Sequence, residues 1–188
     1  MKDSIVNFLK DQKSIFSTKI SKWNGPSIPF HIKMIIFFLT YFGSGFAPFA
    51  PGTFASILTL PLILIFQKFF IPFYFFEMVL FVLTLTLVSI FITEYLQKKY
   101  SLHDPQFIVI DETIGMLTAW LFIPAASFYE LLFLCFLFRI FDIFKPMPAS
   151  YFNDKVTHGA GVILDDVASG LMAGISFILF KKFIFVLF

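Results

Sequence analysis

"FYFFEMVLFVLTLTLVSIFITEYL", residues 73–96, carries one acid, Glu77, ahead of Glu94. At about 1.5 Å per residue a helix of this length crosses the ~30 Å hydrocarbon core of a bilayer. The rest of the chain has the same character. Of its 188 residues 59% are hydrophobic and only 14% charged, against about a quarter charged in an ordinary soluble domain. The mean hydropathy is +0.88. No segment alternates as a half-buried strand would. The fold class expected is therefore all-α: a multi-helix integral membrane protein with short or re-entrant helices. The length suits one domain over 1–188, with residues 1–28 as a polar lead-in. The 31 Phe are read as lipid-facing filler and given no chemical role.

Outward from 73–96 the punctuation is clear. A first apolar helix over about 31–42 reaches only about 18 Å, too short to cross. "GSGFAPFAPGT", 43–53, reads as a loop because Gly and Pro interrupt regular helix. An apolar segment follows at 54–66, with Gln67, Lys68 and Pro72 separating it from the next. After a polar linker at 97–106, Asp111 and Glu112 open another helix. Pro124 interrupts the following stretch, which resumes at about 128 and ends at Phe144 before "KPMP". Residues 149–160 read as a polar loop, and a last helix runs from about 162 to 188 with Asp165 and Asp166 near its start.

Two apolar segments separate the Gly/Pro loop from Asp111, and one stretch broken at Pro124 separates Glu112 from Arg139. Each connection can run out and back, so all the polar clusters can meet on one membrane face. Lys2, Lys10, Lys13, Lys19, Lys22 and Lys33 load the start of the chain and place that face in the cytoplasm by the positive-inside tendency. Residues 1–30 lack the apolar core and cleavage site of a secretory leader, so none is expected. A net charge of +2, with no basic stripe interleaved with aromatics, gives no reason to expect a nucleic-acid partner.

Ionisable groups in apolar segments cost about 2.5–3.5 kcal/mol each at a helix centre on insertion scales, which makes them functional candidates. Here they are Asp111, Glu112, Asp142, Asp165 and Asp166, with Arg139 and Lys145 beside them. Asp111 and Gly115 share a helix face at i,i+4, as do Asp166 and Gly170, so helices can approach closely one turn beyond each acid. Arg139 and Asp142, at i,i+3, also share a face. Carboxylates gathered in this way repel each other unless a cation sits among them. Mg²⁺ is the hard ion that bridges carboxylates to phosphate, while Arg and Lys bind phosphate oxygens. Free amides at the helix start near Thr53 could hold an anion. The reading is metal-assisted chemistry on a phosphorylated lipid at the bilayer surface, by carboxylates whose division into ligands and base the sequence leaves open.

Other polar residues carry bland readings. His31 and His103 read as interfacial, Glu94 and Glu130 as helix-end acids, Asp154 as a turn former, and the lone Cys135 as a small hydrophobe. No G-x-S-x-G or phosphate-binding P-loop occurs.

"GSGFAPFAPGTFAS", "HDPQFIVIDETIGM" and "FRIFDIFKPMPASYFNDKVTHGAGVILDDVASG" together resemble the signature blocks of the bacterial phosphatidylglycerophosphatase A family, in the family's order. The resemblance implies a Mg²⁺-dependent, all-helical inner-membrane phosphatase with a cytoplasmic site. Its substrate would be phosphatidylglycerophosphate, a phosphorylated glycerophospholipid. Asp111 and Glu112, then Arg139, Asp142 and Lys145, then Asp165 and Asp166 fall on the family's motifs as catalytic residues, the five acids as metal ligands. Gly43, Ser44, Gly45, Gly52, Thr53 and His158 join Arg139 and Lys145 as candidate substrate-binding residues. Ala55 and Ala160 stand where many members carry glycine. The alternatives are a non-catalytic transport or assembly protein, for which acids spread through membrane depth would be expected, and a phosphatase of another phosphorylated lipid.

Overall fold

A computed structural model describes residues 29–70, 75–100, 107–156 and 159–187. The described residues form helices and connections, with no strand. In order they are α1 (Phe30–Leu39), a 3-10 turn (Ser44–Phe46), α2 (Pro51–Phe70), α3 (Phe75–Tyr100), α4 (Ile110–Trp120), α5 (Phe128–Phe144), α6 (Ala149–Lys155) and α7 (Gly159–Leu187).

Three helices are long and apolar enough to cross a bilayer, over Pro51–Phe69, Phe75–Tyr100 and Gly159–Phe183. α4, with 11 residues, is about 16 Å long and does not cross. The usual polarity of a soluble bundle is inverted in α3: Thr86, Ser89, Thr93 and Gln97 are buried, while Phe76, Leu87 and Phe91 face outward. Buried apolar residues on the other helices, such as Leu131, Leu134 and Phe138 on α5, fill the centre at helical spacing.

Several boundaries differ from the sequence reading. α2 starts at Pro51, inside the segment read as loop, because proline at a first helical position loses no bond and its fixed φ suits the helix. Gly52 and Thr53 therefore belong to α2. Gln67 and Lys68 do not end that helix either. Residues 149–155, read as loop, form α6: no Gly or Pro interrupts them once Pro148 has passed, and the turn seats against the start of α7. Gly161 lies so close to the backbone of Phe152 and Val156 that a Cβ there would stand 3.1 Å from the Phe152 carbonyl oxygen. α7 accordingly begins at Gly159.

Two junctions fix the ends of the path. Ser127 opens α5 with a capping box: its hydroxyl accepts from the Glu130 amide at 3.3 Å, and the Glu130 carboxylate accepts from the Ser127 amide at 2.8 Å. At the other end Lys145 takes a left-handed conformation, φ +42°, with its amide bonded to the Phe141 carbonyl at 2.8 Å. That turn swings the Lys145 side chain back toward α7.

Candidate active site

Gly115 of α4 and Gly170 of α7 lie backbone to backbone. A Cβ on Gly170 would stand 3.0 Å from the Gly115 carbonyl carbon, and one on Gly115 would stand 2.7 Å from the Asp166 carbonyl oxygen. This is the close approach expected from the acid-to-glycine spacing, and it sets Asp111–Glu112 beside Asp165–Asp166. The two acid pairs are built alike. In each, the first acid's Oδ1 accepts the second's backbone amide at 2.9 Å, Asp111 from Glu112 and Asp165 from Asp166.

The C-terminal end of α5 supplies the cations. Arg139 Nη1 donates to Glu112 Oε2 and to Asp142 Oδ2, the latter at 2.8 Å. Lys145 Nζ lies 2.5 Å from Asp165 Oδ2, 3.4 Å from Asp142 Oδ1 and 4.0 Å from Asp166 Oδ1. Asp142, Asp165 and Asp166 are only 8%, 5% and 3% exposed, so these groups have largely left water. Glu112, Asp142 and Asp166 each present one carboxylate oxygen, and these three oxygens lie within 4.8 Å of one another. All seven acidic and basic residues singled out in the sequence thus belong to one cluster. Asp111 and Asp165 flank the central three.

Electrostatics follow from burial and from five carboxylates facing two cations. Burial and the Glu112 charge push Asp111 well above the usual carboxylate range. Burial and Asp142 raise Glu112 to about 7 against the pull of Arg139 and Lys145. For Lys145 burial works against the charge, but the Asp165 bond and surrounding carboxylates hold its pKa above the ordinary lysine value. The carboxylates are short of positive charge. A hard cation among Glu112, Asp142 and Asp166 would meet oxygen donors of the kind it prefers.

The Gly/Pro segment reaches the cluster through Gly52. Gly52 faces Glu112: a Cβ there would fall on the Glu112 carboxylate. Gly45 packs against the Phe107 carbonyl, and the Ser44 hydroxyl is spent on the Thr40 carbonyl at 2.9 Å. Gly43 takes φ +91° with open space around its Cα. Thr53 is half-buried in the first turn of α2. His158 and His103 lie outside the described residues. One neighbour was not foreseen: the Ser56 hydroxyl, one turn after Gly52, sits 3.4 Å from Glu112 Oε2 while donating to the Gly52 carbonyl at 2.9 Å. The i,i+4 pairing of Gly52 with Ser56 was the available signal.

The phosphatidylglycerophosphatase A family model matches residues 37–181, a range that contains every residue of the cluster. The chain belongs to the phosphatidylglycerophosphatase A family. Phosphatidylglycerophosphatase A of Escherichia coli K12 is 30% identical over 132 residues, covering 70% of this chain and 74% of that protein. The Haemophilus influenzae Rd protein of the same name is 32% identical over 137 residues, covering 70% and 79%. A Bacteroides thetaiotaomicron protein, provisionally named a phosphatidylinositol-3-phosphatase, is 36% identical over 136 residues, covering 70% and 84%. No solved structure matches significantly. Family membership makes the chain a phosphatase of phospholipid metabolism, in keeping with its long apolar helices.

Proposed function

We propose that this protein hydrolyses phosphatidylglycerophosphate to phosphatidylglycerol and inorganic phosphate, with Mg²⁺, at the cytoplasmic face of a bacterial inner membrane. The observation that carries the reading is the convergence of Glu112, Asp142 and Asp166 within 4.8 Å, with Arg139 and Lys145 held against them. Mg²⁺ held by those three carboxylates would lower the pKa of a water and polarise the phosphoryl group.

The chain's own residues do the rest. Arg139 and Lys145, now paired with carboxylates, exchange those partners for oxygens of the terminal phosphate and stabilise its charge as the bond breaks. Asp111 makes no ion pair among the described residues and its side chain is pinned by the Glu112 amide, which supports assigning it the role of taking the proton of the attacking water. The water oxygen bonds to phosphorus, the phosphorus–oxygen bond to glycerol breaks, and the departing oxygen takes up the proton that Asp111 received from the water. α2 brings Gly52 against Glu112 and fixes that carboxylate.

The lysine-rich start of the chain supports a cytoplasmic site. The Bacteroides relative favours a second reading, the same chemistry on another phosphorylated lipid. Purified protein in detergent micelles, given Mg²⁺ and a panel of phosphorylated lipids, distinguishes the two by phosphate release. Fastest release is expected from phosphatidylglycerophosphate. Faster release from a phosphoinositide would replace the substrate, and no release from any lipid would defeat both readings.

A further inference from the structure

On the face of α2 turned away from Glu112 lies an apolar cleft of about 520 Å³. Gly52 and Ser56 point one way along α2, toward the carboxylates, while Phe54 and Leu58 line the cleft on the opposite side. Its other wall is the α1–α2 connection, with Tyr41, Phe42, Pro48 and Phe49. The wall offers little to a polar head group. The Ser44 hydroxyl is used by the Thr40 carbonyl, and Tyr41 is buried.

The cleft is held open by unusual backbone. Tyr41, Phe42 and Gly43 take φ of +44°, +57° and +91° in succession. For tyrosine and phenylalanine this conformation is costly, and such strain gathers at ligand clamps. It is fixed by the Phe42 amide on the Phe37 carbonyl at 3.0 Å and the Gly43 amide on Thr40 Oγ1 at 3.1 Å. The result turns Phe42 outward, 67% exposed, beside Phe49 at 85%. The cleft mouth is therefore rimmed by exposed aromatic side chains.

We infer that this cleft holds one acyl chain of the phospholipid substrate while its head group passes over the first turn of α2 to the carboxylate cluster. The inference rests on the lipid-phosphatase reading above. Cleft and carboxylates are separated by the width of one helix, about 10 Å, so one lipid with its reactive phosphate at the far end of the head group can occupy both. A chain entering from the bilayer gains apolar burial and fixes the lipid beside the reacting groups.

Leu58→Trp, which fills the cleft, is compared with wild type on dipalmitoyl and dibutyryl phosphatidylglycerophosphate in mixed micelles. The expected result is about a tenfold loss of kcat/KM on the long-chain lipid with the short-chain rate kept, which also reports an intact fold. Equal losses on both lipids, or none on either, overturn the inference. A second measurement needs no turnover: a phosphatidylglycerophosphate with a photoreactive diazirine in its acyl chain should label peptides spanning residues 41–58. Unlabelled phosphatidylglycerophosphate should displace that label, and phosphatidylcholine of the same chains should not. Equal displacement by phosphatidylcholine would assign the groove to bulk lipid, and absence of labelling would leave no chain there; either overturns the inference. If wild type releases no phosphate yet the label is placed and displaced as expected, the phosphatase reading fails and the cleft assignment stands.

Discussion

Gly115 and Gly170 touch through their backbones, and this contact places two acid pairs from stretches 54 residues apart side by side. A methyl group on Gly170 meets the Gly115 carbonyl, which no rotamer change can relieve. Gly170→Ala should cost about 1–3 kcal/mol through overpacking and separate the carboxylates. Thermal unfolding in detergent should show the loss, and phosphate release should fall further than the lost folded fraction accounts for.

Gly52 makes a comparable approach to a side chain instead of a backbone. Gly52→Ala would push the Glu112 carboxylate from its place beside Arg139 and Ser56. A displacement of about 1 Å in a reacting group can cost about 10²-fold. The expected outcome is a fall in kcat of that order with a higher Mg²⁺ requirement, read by titrating the metal at saturating lipid. An unchanged Mg²⁺ titration would show that Glu112 is not a ligand.

The central carboxylates and the flanking ones should separate in the same assay. Glu112→Gln, Asp142→Asn and Asp166→Asn should each lower kcat by about 10²–10³ and shift the Mg²⁺ titration upward. Asp111→Asn should lower kcat with the metal titration nearly unmoved. Chelation with EDTA should abolish wild-type activity, and added Mg²⁺ should restore it.

Arg139 joins Glu112 and Asp142, so its removal leaves the poorly hydrated Glu112 carboxylate without its cation and Asp142 with Lys145 alone. Breaking a buried pair from one side costs about 3–5 kcal/mol. Arg139→Ala should lower the unfolding temperature most in EDTA and much less in excess Mg²⁺, where the metal supplies the missing charge. Equal shifts in both conditions would argue against a metal in that position.

The Ser127 capping box stands at the opposite end of α5 from the cluster. Ser127→Ala should lower stability by about 1 kcal/mol and leave kcat unchanged. Circular dichroism melts and phosphate release measured on one preparation test both halves of that expectation.

Local pattern made much of this legible. The recurrence of glycine four residues after Asp111 and Asp166 foretold a close helix pair because side chains four apart share a face whatever surrounds them. Arg139 and Asp142, one turn apart, were readable as partners for the same reason. Ser56 was overlooked because a serine in an apolar helix looks like a residue bonding its own backbone, which it also does. The first turn of α2 reads as loop in the sequence because Pro and Gly break helix interiors, whereas proline at a helix start is favourable. α6 is not legible locally because Ala149 and the six polar and aromatic residues after it hold as a helix through their seat on α7.

Composition and periodicity by themselves established an all-helical membrane chain and singled out the acids and bases lodged in its apolar segments, since each depends on residues near one another in sequence. Only the tertiary structure decided that Glu112, Asp142 and Asp166 form the inner three, that Lys145 pairs with Asp165, and that Phe54 and Leu58 wall a cleft behind the helix that touches Glu112. Those relations are distances between separate helices. They are set by how closely backbones pack at Gly115 and Gly170 and how closely Gly52 lets the Glu112 side chain approach α2, and that packing is a property of all the helices together.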